Sequence, residues 1–125
     1  HAGPLRPSEP GRPIPYLEQV AYEWPELSIV AGHLGHPWTD EVLSLLRKYD
    51  NVHVDTSAWK PSRFPPALTD YLRGSGRKKV LYGSNWPMIA PQACLSQVDS
   101  LGLDDEARAL FLGGNAARIY RLEPR

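Results

Sequence analysis

Apolar residues along the chain alternate between a helical and a strand-like period. Leu17, Val20, Ala21 and Trp24 fall at i, i+3, i+4 and i+7, the stripe of an amphipathic helix, and Pro25 stops it. "LSIVAG", Leu27 to Gly32, is a short apolar run that predicts a strand. The next stripe, Val42, Leu45, Leu46 and Tyr49, predicts a helix over Thr39 to Tyr49, with Asp40 and Glu41 in its first turn and Arg47 and Lys48 in its last, as the helix dipole favours. "NVHVDTS", Asn51 to Ser57, alternates Val52 and Val54 as a strand. Pro65 and Pro66 suit the start of a helix carrying Leu68, Tyr71 and Leu72, which "GSG" from Gly74 to Gly76 ends. "KVLYG", Lys79 to Gly83, predicts the third strand. After Pro91 the pattern is helical throughout: Cys94 to Leu101, then "DEARALFL" with Asp104 as its N-cap, then Asn115 to Leu122.

Strand, loop and helix thus alternate three times, which predicts an α/β chain of parallel strands joined by right-handed crossovers. In such sheets, open or closed into a barrel, ligands bind beyond the carboxyl ends of the strands. At those ends stand His33 after the first strand, Asp55, Thr56 and Ser57 after the second, and Ser84 and Asn85 after the third. His1 joins them if the residues that would precede it end an earlier strand.

A chain of 125 residues has room for a single domain. It reads as a Pro-rich extended loop over 1–15, βα units over 16–89 and C-terminal helices over 90–125. Lys plus Arg and Asp plus Glu balance at 14 each, so no overall field draws nucleic acid or an anionic membrane, and a small-molecule partner is expected. A lone Cys94 makes no intrachain disulfide, and no apolar run is long enough for a bilayer or a secretion signal. A cytoplasmic protein is the simplest expectation. The sequence begins at His1 without an initiating Met, as a processed or truncated piece of a longer protein would.

"GHLGHPW", Gly32 to Trp38, is the most informative stretch. Gly32 and Gly35 permit unusual backbone angles around His33, and Pro37 and Trp38 fix and cover the loop. Imidazole is the side chain that titrates near neutrality, so His33 is a candidate metal ligand or water-activating base; the plain alternative is a histidine bonded to a loop carbonyl. His36 has a looser claim at the mouth, and His53, alternating with Val52 and Val54, is expected to be structural. Asp55 either orients a histidine or binds substrate, or else it caps the following loop. Trp38, Trp59 and Trp86 each follow a strand and are candidates for an aromatic rim, or for plain packing. Cys94 lies in a helical stripe and is expected to pack.

"HAG" at the start, "GHLG", "NVHVDTSAW", "KVLYGSNWP" and "GGNAARIYRL" at the end, in this order, resemble the amidohydrolase-related family of metal-dependent hydrolases and decarboxylases. The resemblance implies the C-terminal half of a (β/α)₈ TIM barrel, because a full barrel takes about 250 residues. It implies a divalent metal, zinc, with His1 as a ligand. His33 would be the histidine that polarises or deprotonates the attacking water. Asn85 would stand where the family usually places a metal-bound Asp, as a weak ligand or a catalytic substrate contact. Trp38, Asp55, Ser57 and Trp86 would contact substrate. The implied activity is hydrolysis of a lactone, ester or amide of a small carboxylated molecule. Decarboxylation by the same site is the alternative, and a non-catalytic, self-associating half-barrel is a second. The paired "HxH" histidines of the family's first strand are absent here. A half-barrel also exposes strand edges, so this chain alone is expected to be inactive and to pair with another copy or with a missing N-terminal half.

Overall fold

The structure is a computed structural model that describes residues 12–122. The fold divides between Asp55 and Thr56 into two compact units. In the first, β1 (Ile29–Ala31) and β2 (Val52–Asp55) run parallel, with Ile29 opposite Val52, Val30 opposite His53 and Ala31 opposite Val54. Parallel neighbours need a crossover, and α2 (Thr39–Lys48) supplies it. Its predicted stripe is real: Val42, Leu45 and Leu46 are buried, with Leu43 beside them. Ala31, Val52 and Val54 are also buried in this unit. His53 is structural, its Nδ1 lying 3.3 Å from the carbonyl oxygen of Ile29.

The first predicted helix is present, but its apolar stripe is not a buried face. A helical turn over Pro13–Leu17 leads into α1 (Glu18–Glu23), and of the expected stripe only Ala21 is buried. Val20 and Trp24 are exposed, along with Tyr16, Tyr22 and Leu27. Polar contacts hold this segment instead of an apolar face. The Asn51 amide donates to the carbonyls of Ala21, Trp24 and Leu27 at 3.3, 3.1 and 3.0 Å. Lys48 and Tyr49 both donate to Glu18, which holds that carboxyl below its ordinary range, Lys48 contributing most.

In the second unit α3 (Pro66–Arg73) begins on a proline, buries Leu68, Tyr71 and Leu72, and stops at Gly74. β3 (Val80–Leu81) is shorter than the expected Lys79–Gly83. The reason is a change of partners: the Tyr82 N–H donates to the Phe111 carbonyl at 3.0 Å and the Gly83 N–H to Thr56 Oγ1 at 3.2 Å. The helix expected over Cys94 to Leu101 is broken into α4 (Pro91–Leu95) and a 3₁₀ turn over Val98–Leu101. Serine hydroxyls compete for the backbone there, Ser96 bonding the Ala93 carbonyl and Ser100 the Gln97 carbonyl. Cys94, Val98 and Leu101 stay buried nonetheless, and burial pushes the Cys94 thiol up.

α5 (Asp105–Ala109) is capped as expected, with Asp104 accepting the Ala107 N–H at 2.8 Å. That bond, and Arg77 after it, hold the Asp104 carboxyl below its usual range. Phe111 is the centre of this core, with the rings of Phe64 and Tyr82 packed edge-on at 6.4 and 5.9 Å. α6 (Asn115–Ile119) opens on a buried asparagine whose amide donates to the carbonyls of Arg77 and Val80, each at 2.8 Å. This ties the approach to β3 to the last helix. Replacing Asn115 by Ala orphans two carbonyls, and urea unfolding is expected to show a loss of about 2 kcal/mol. Among the described residues no helix is long and apolar enough to cross a membrane.

Candidate active site

Beyond the carboxyl end of β1 the chain makes a 3₁₀ turn over His33–Gly35. All three residues have positive φ, +56°, +59° and +71°. The Gly35 N–H returns to the Gly32 carbonyl and the His36 N–H to the His33 carbonyl, at 3.0 and 2.9 Å, which closes the turn. Asp55, at the end of β2, accepts the His33 backbone N–H at 3.1 Å. The structure therefore brings His33 and Asp55 together: the carboxylate caps the loop that carries the imidazole. Leu34 is buried, Gly35 lies against Val42, and the turn is anchored from below. Gly32 has ordinary backbone angles, so of the two glycines only Gly35 is required by conformation. His36 is exposed beyond the turn. Trp38 is half-buried and its carbonyl accepts the Val42 N–H at 3.1 Å, so it launches α2.

The second unit gathers the other candidates. Thr56 is buried, its N–H donating to the Leu81 carbonyl at 3.0 Å and its Oγ1 to the same oxygen at 3.3 Å. The Ala58 N–H donates to the Ser84 carbonyl at 3.4 Å. Gly83 lets these segments touch, since a Cβ there would lie 3.1 Å from that of Ser57. Ser84 is buried, whereas Asn85 and Trp86 are exposed. Asn85 has φ +65°, and its amide nitrogen donates weakly to Met88 Sδ at 3.4 Å. Among the described residues its side-chain carbonyl oxygen has no hydrogen-bond partner. His33, Ala58 and Asn85 thus all hold positive φ just after a strand. Such strain costs of order 1–3 kcal/mol and collects at functional sites. For Asn it is mild, for Ala it is not.

Within the second unit a cleft of about 510 Å³ is lined by Ala58, Trp59, Lys60, Ser62, Arg63, Ile89 and Gln97. Of these only Trp59 stands among the residues singled out by sequence. Two cations in "KPSR", directly after a strand-end tryptophan, were the available signal. Among the described residues no group of three or more His, Cys, Asp or Glu side chains converges to hold a metal ion. The described residues therefore do not make the expected zinc site on their own, and His1, its expected ligand, lies outside them.

Strands that deliver their polar side chains at their carboxyl ends define an α/β chain of the kind that builds TIM barrels. An uncharacterised TIM-barrel protein of Bordetella bronchiseptica superimposes with a TM-score of 0.82, at 19% identity, over 96% of this chain and 43% of that one. An amidohydrolase of Burkholderia multivorans solved with bound zinc gives 0.63, also at 19% identity, over 89% of this chain and 50% of that one. Residues 1–122 match the amidohydrolase family model, and the chain belongs to that family. It is 29% identical over 139 residues to the L-fucono-1,5-lactonase of Burkholderia ambifaria, covering 90% of this chain and 48% of the lactonase. The chain thus spans about half the length of the curated relative it matches.

Proposed function

We propose that the whole protein is a hydrolase that opens a lactone carried by a small carboxylated molecule. The observation that carries this is His33, held in a strained turn beyond β1 with its backbone fixed by Asp55. A base must be positioned before it is useful, and a backbone fixed in this way supports that role for His33. In this scheme water adds to the lactone carbonyl while His33 takes its proton. The ring C–O bond then breaks, and the proton returns to the departing alkoxide, leaving a hydroxy acid. Asn85 has a carbonyl oxygen to accept from a substrate hydroxyl, a contact that neither gains nor loses a proton. Ser57, Trp38 and Trp86 are proposed as further substrate contacts. The lactonase relative supports this choice of ester over the other acyl groups. Zinc in the Burkholderia multivorans neighbour supports a metal in the whole protein, where it would polarise the carbonyl, but the described side chains do not assemble its ligands.

The test is ring opening of sugar-acid lactones by the whole protein, followed as acid release. L-Fuconolactone, named for the relative, comes first. Acceleration over the spontaneous rate is expected. A panel of lactones opened no faster than in buffer overturns the proposal, and carbon dioxide release from an unsaturated acid would move the activity to decarboxylation.

A further inference from the structure

The polar side chains that line the cleft beside Trp59 are cationic or neutral. Lys60 and Arg63 are both exposed on it, and neither has a side-chain ion pair or hydrogen bond among the described residues. Among the described residues no Asp or Glu lines it. Gln97 accepts the Ser62 backbone N–H with its Oε1 at 3.0 Å, which turns its amide nitrogen, a pure donor, outward from that bond. The Ser62 hydroxyl adds a further donor. Against these stand Trp59 and Ile89, an apolar wall. The volume falls within the usual range for a small-molecule site.

From this lining we infer that the cleft is a subsite for a free carboxylate on a small molecule, with the ring or chain that bears it resting on Trp59 and Ile89. Arg63 offers a planar fork that matches a carboxylate in two bonds, and Lys60 adds a point charge. A phosphate is typically held by clustered backbone N–H groups, and the Ser62 N–H here is spent on Gln97. The inference rests on the hydrolase reading only in making that molecule the substrate. It places specificity in the loop after β2, away from His33 in sequence, and selects lactones that carry a second acid group.

Two lactones separate the cases, gluconolactone, which is neutral, and glucarolactone, which keeps a free carboxylate on a similar frame. The whole protein is expected to favour glucarolactone in kcat/KM by about 10- to 100-fold. Lys60→Ala with Arg63→Ala removes that preference, mainly through KM, and Arg63→Lys restores part of it. Calorimetric titration with glucarate gives a readout independent of turnover: binding weakens with salt and is lost in the double variant. An unchanged preference in the double variant, or no glucarate binding to the wild type, overturns the inference. If neither lactone is opened while glucarate binds through Lys60 and Arg63, the hydrolase reading fails and the carboxylate subsite stands.

Discussion

His33→Ala in the whole protein is expected to lower kcat by about 10²- to 10⁴-fold if the proposed base role holds, the range that a positioned acid–base group contributes. Among the described residues of its unit the other two histidines do not share that turn: His36 is exposed past it and His53 is buried on β2 against the Ile29 carbonyl. Asp55 acts one step removed, by holding the His33 N–H at 3.1 Å. Asp55→Asn keeps an oxygen for that bond and is expected to retain most of the rate, whereas Asp55→Ala releases the turn and loses more. Steady-state kinetics on the three variants check the order. A His33→Ala protein as fast as the wild type removes the imidazole from the chemistry.

Gly35→Ala is expected to cost about 2–4 kcal/mol of stability, the sum of overpacking and an unfavourable backbone region. Its new Cβ would lie 2.2 Å from Cγ2 of Val42, a side chain with no exposed surface, and φ at this position is +71°. At roughly 4 °C per kcal/mol, the thermal midpoint drops by on the order of 10 °C. Gly32→Ala is the control. Its nearest neighbour would be Asp55 Oδ2 at 3.8 Å, and its φ of −76° suits any residue. Adding Val42→Ala to Gly35→Ala should recover the steric part alone. Equal midpoints for the two glycine variants would show that the turn does not depend on this contact.

Periodicity located α2, α3, the strands and the burial of their stripes because those elements are held by apolar packing, which leaves a period in the sequence. Over Leu17 to Trp24 it found the helix but not its exposure, because a helix of six residues is docked there by the Asn51 amide and Glu18. A side chain that clamps three carbonyls leaves no periodic trace. Cys94 to Leu101 kept its apolar spacing but lost its helix to serine hydroxyls, a competition that spacing cannot register. For the candidate site, the rule that ligands meet strand ends singled out His33, Asp55 and Asn85, and each does stand at or beyond the carboxyl end of a strand. It could not show that Asp55 holds the His33 backbone across 22 positions, that Ala58 is strained, or that Gln97 joins Ser62 across 35. These depend on tertiary approach.

The bend at Asn85 bears on how the site can change over generations. Its carbonyl accepts the Met88 N–H at 2.9 Å, which closes a turn at φ +65°. Asn and Asp both enter this conformation at little cost, and their codons differ by one base. The turn therefore sets no backbone barrier between an amide and a carboxylate. A lineage can exchange the two in a single mutational step within the same backbone turn, so an amide or a carboxylate at this strand end can be swapped independently of the loop that presents it.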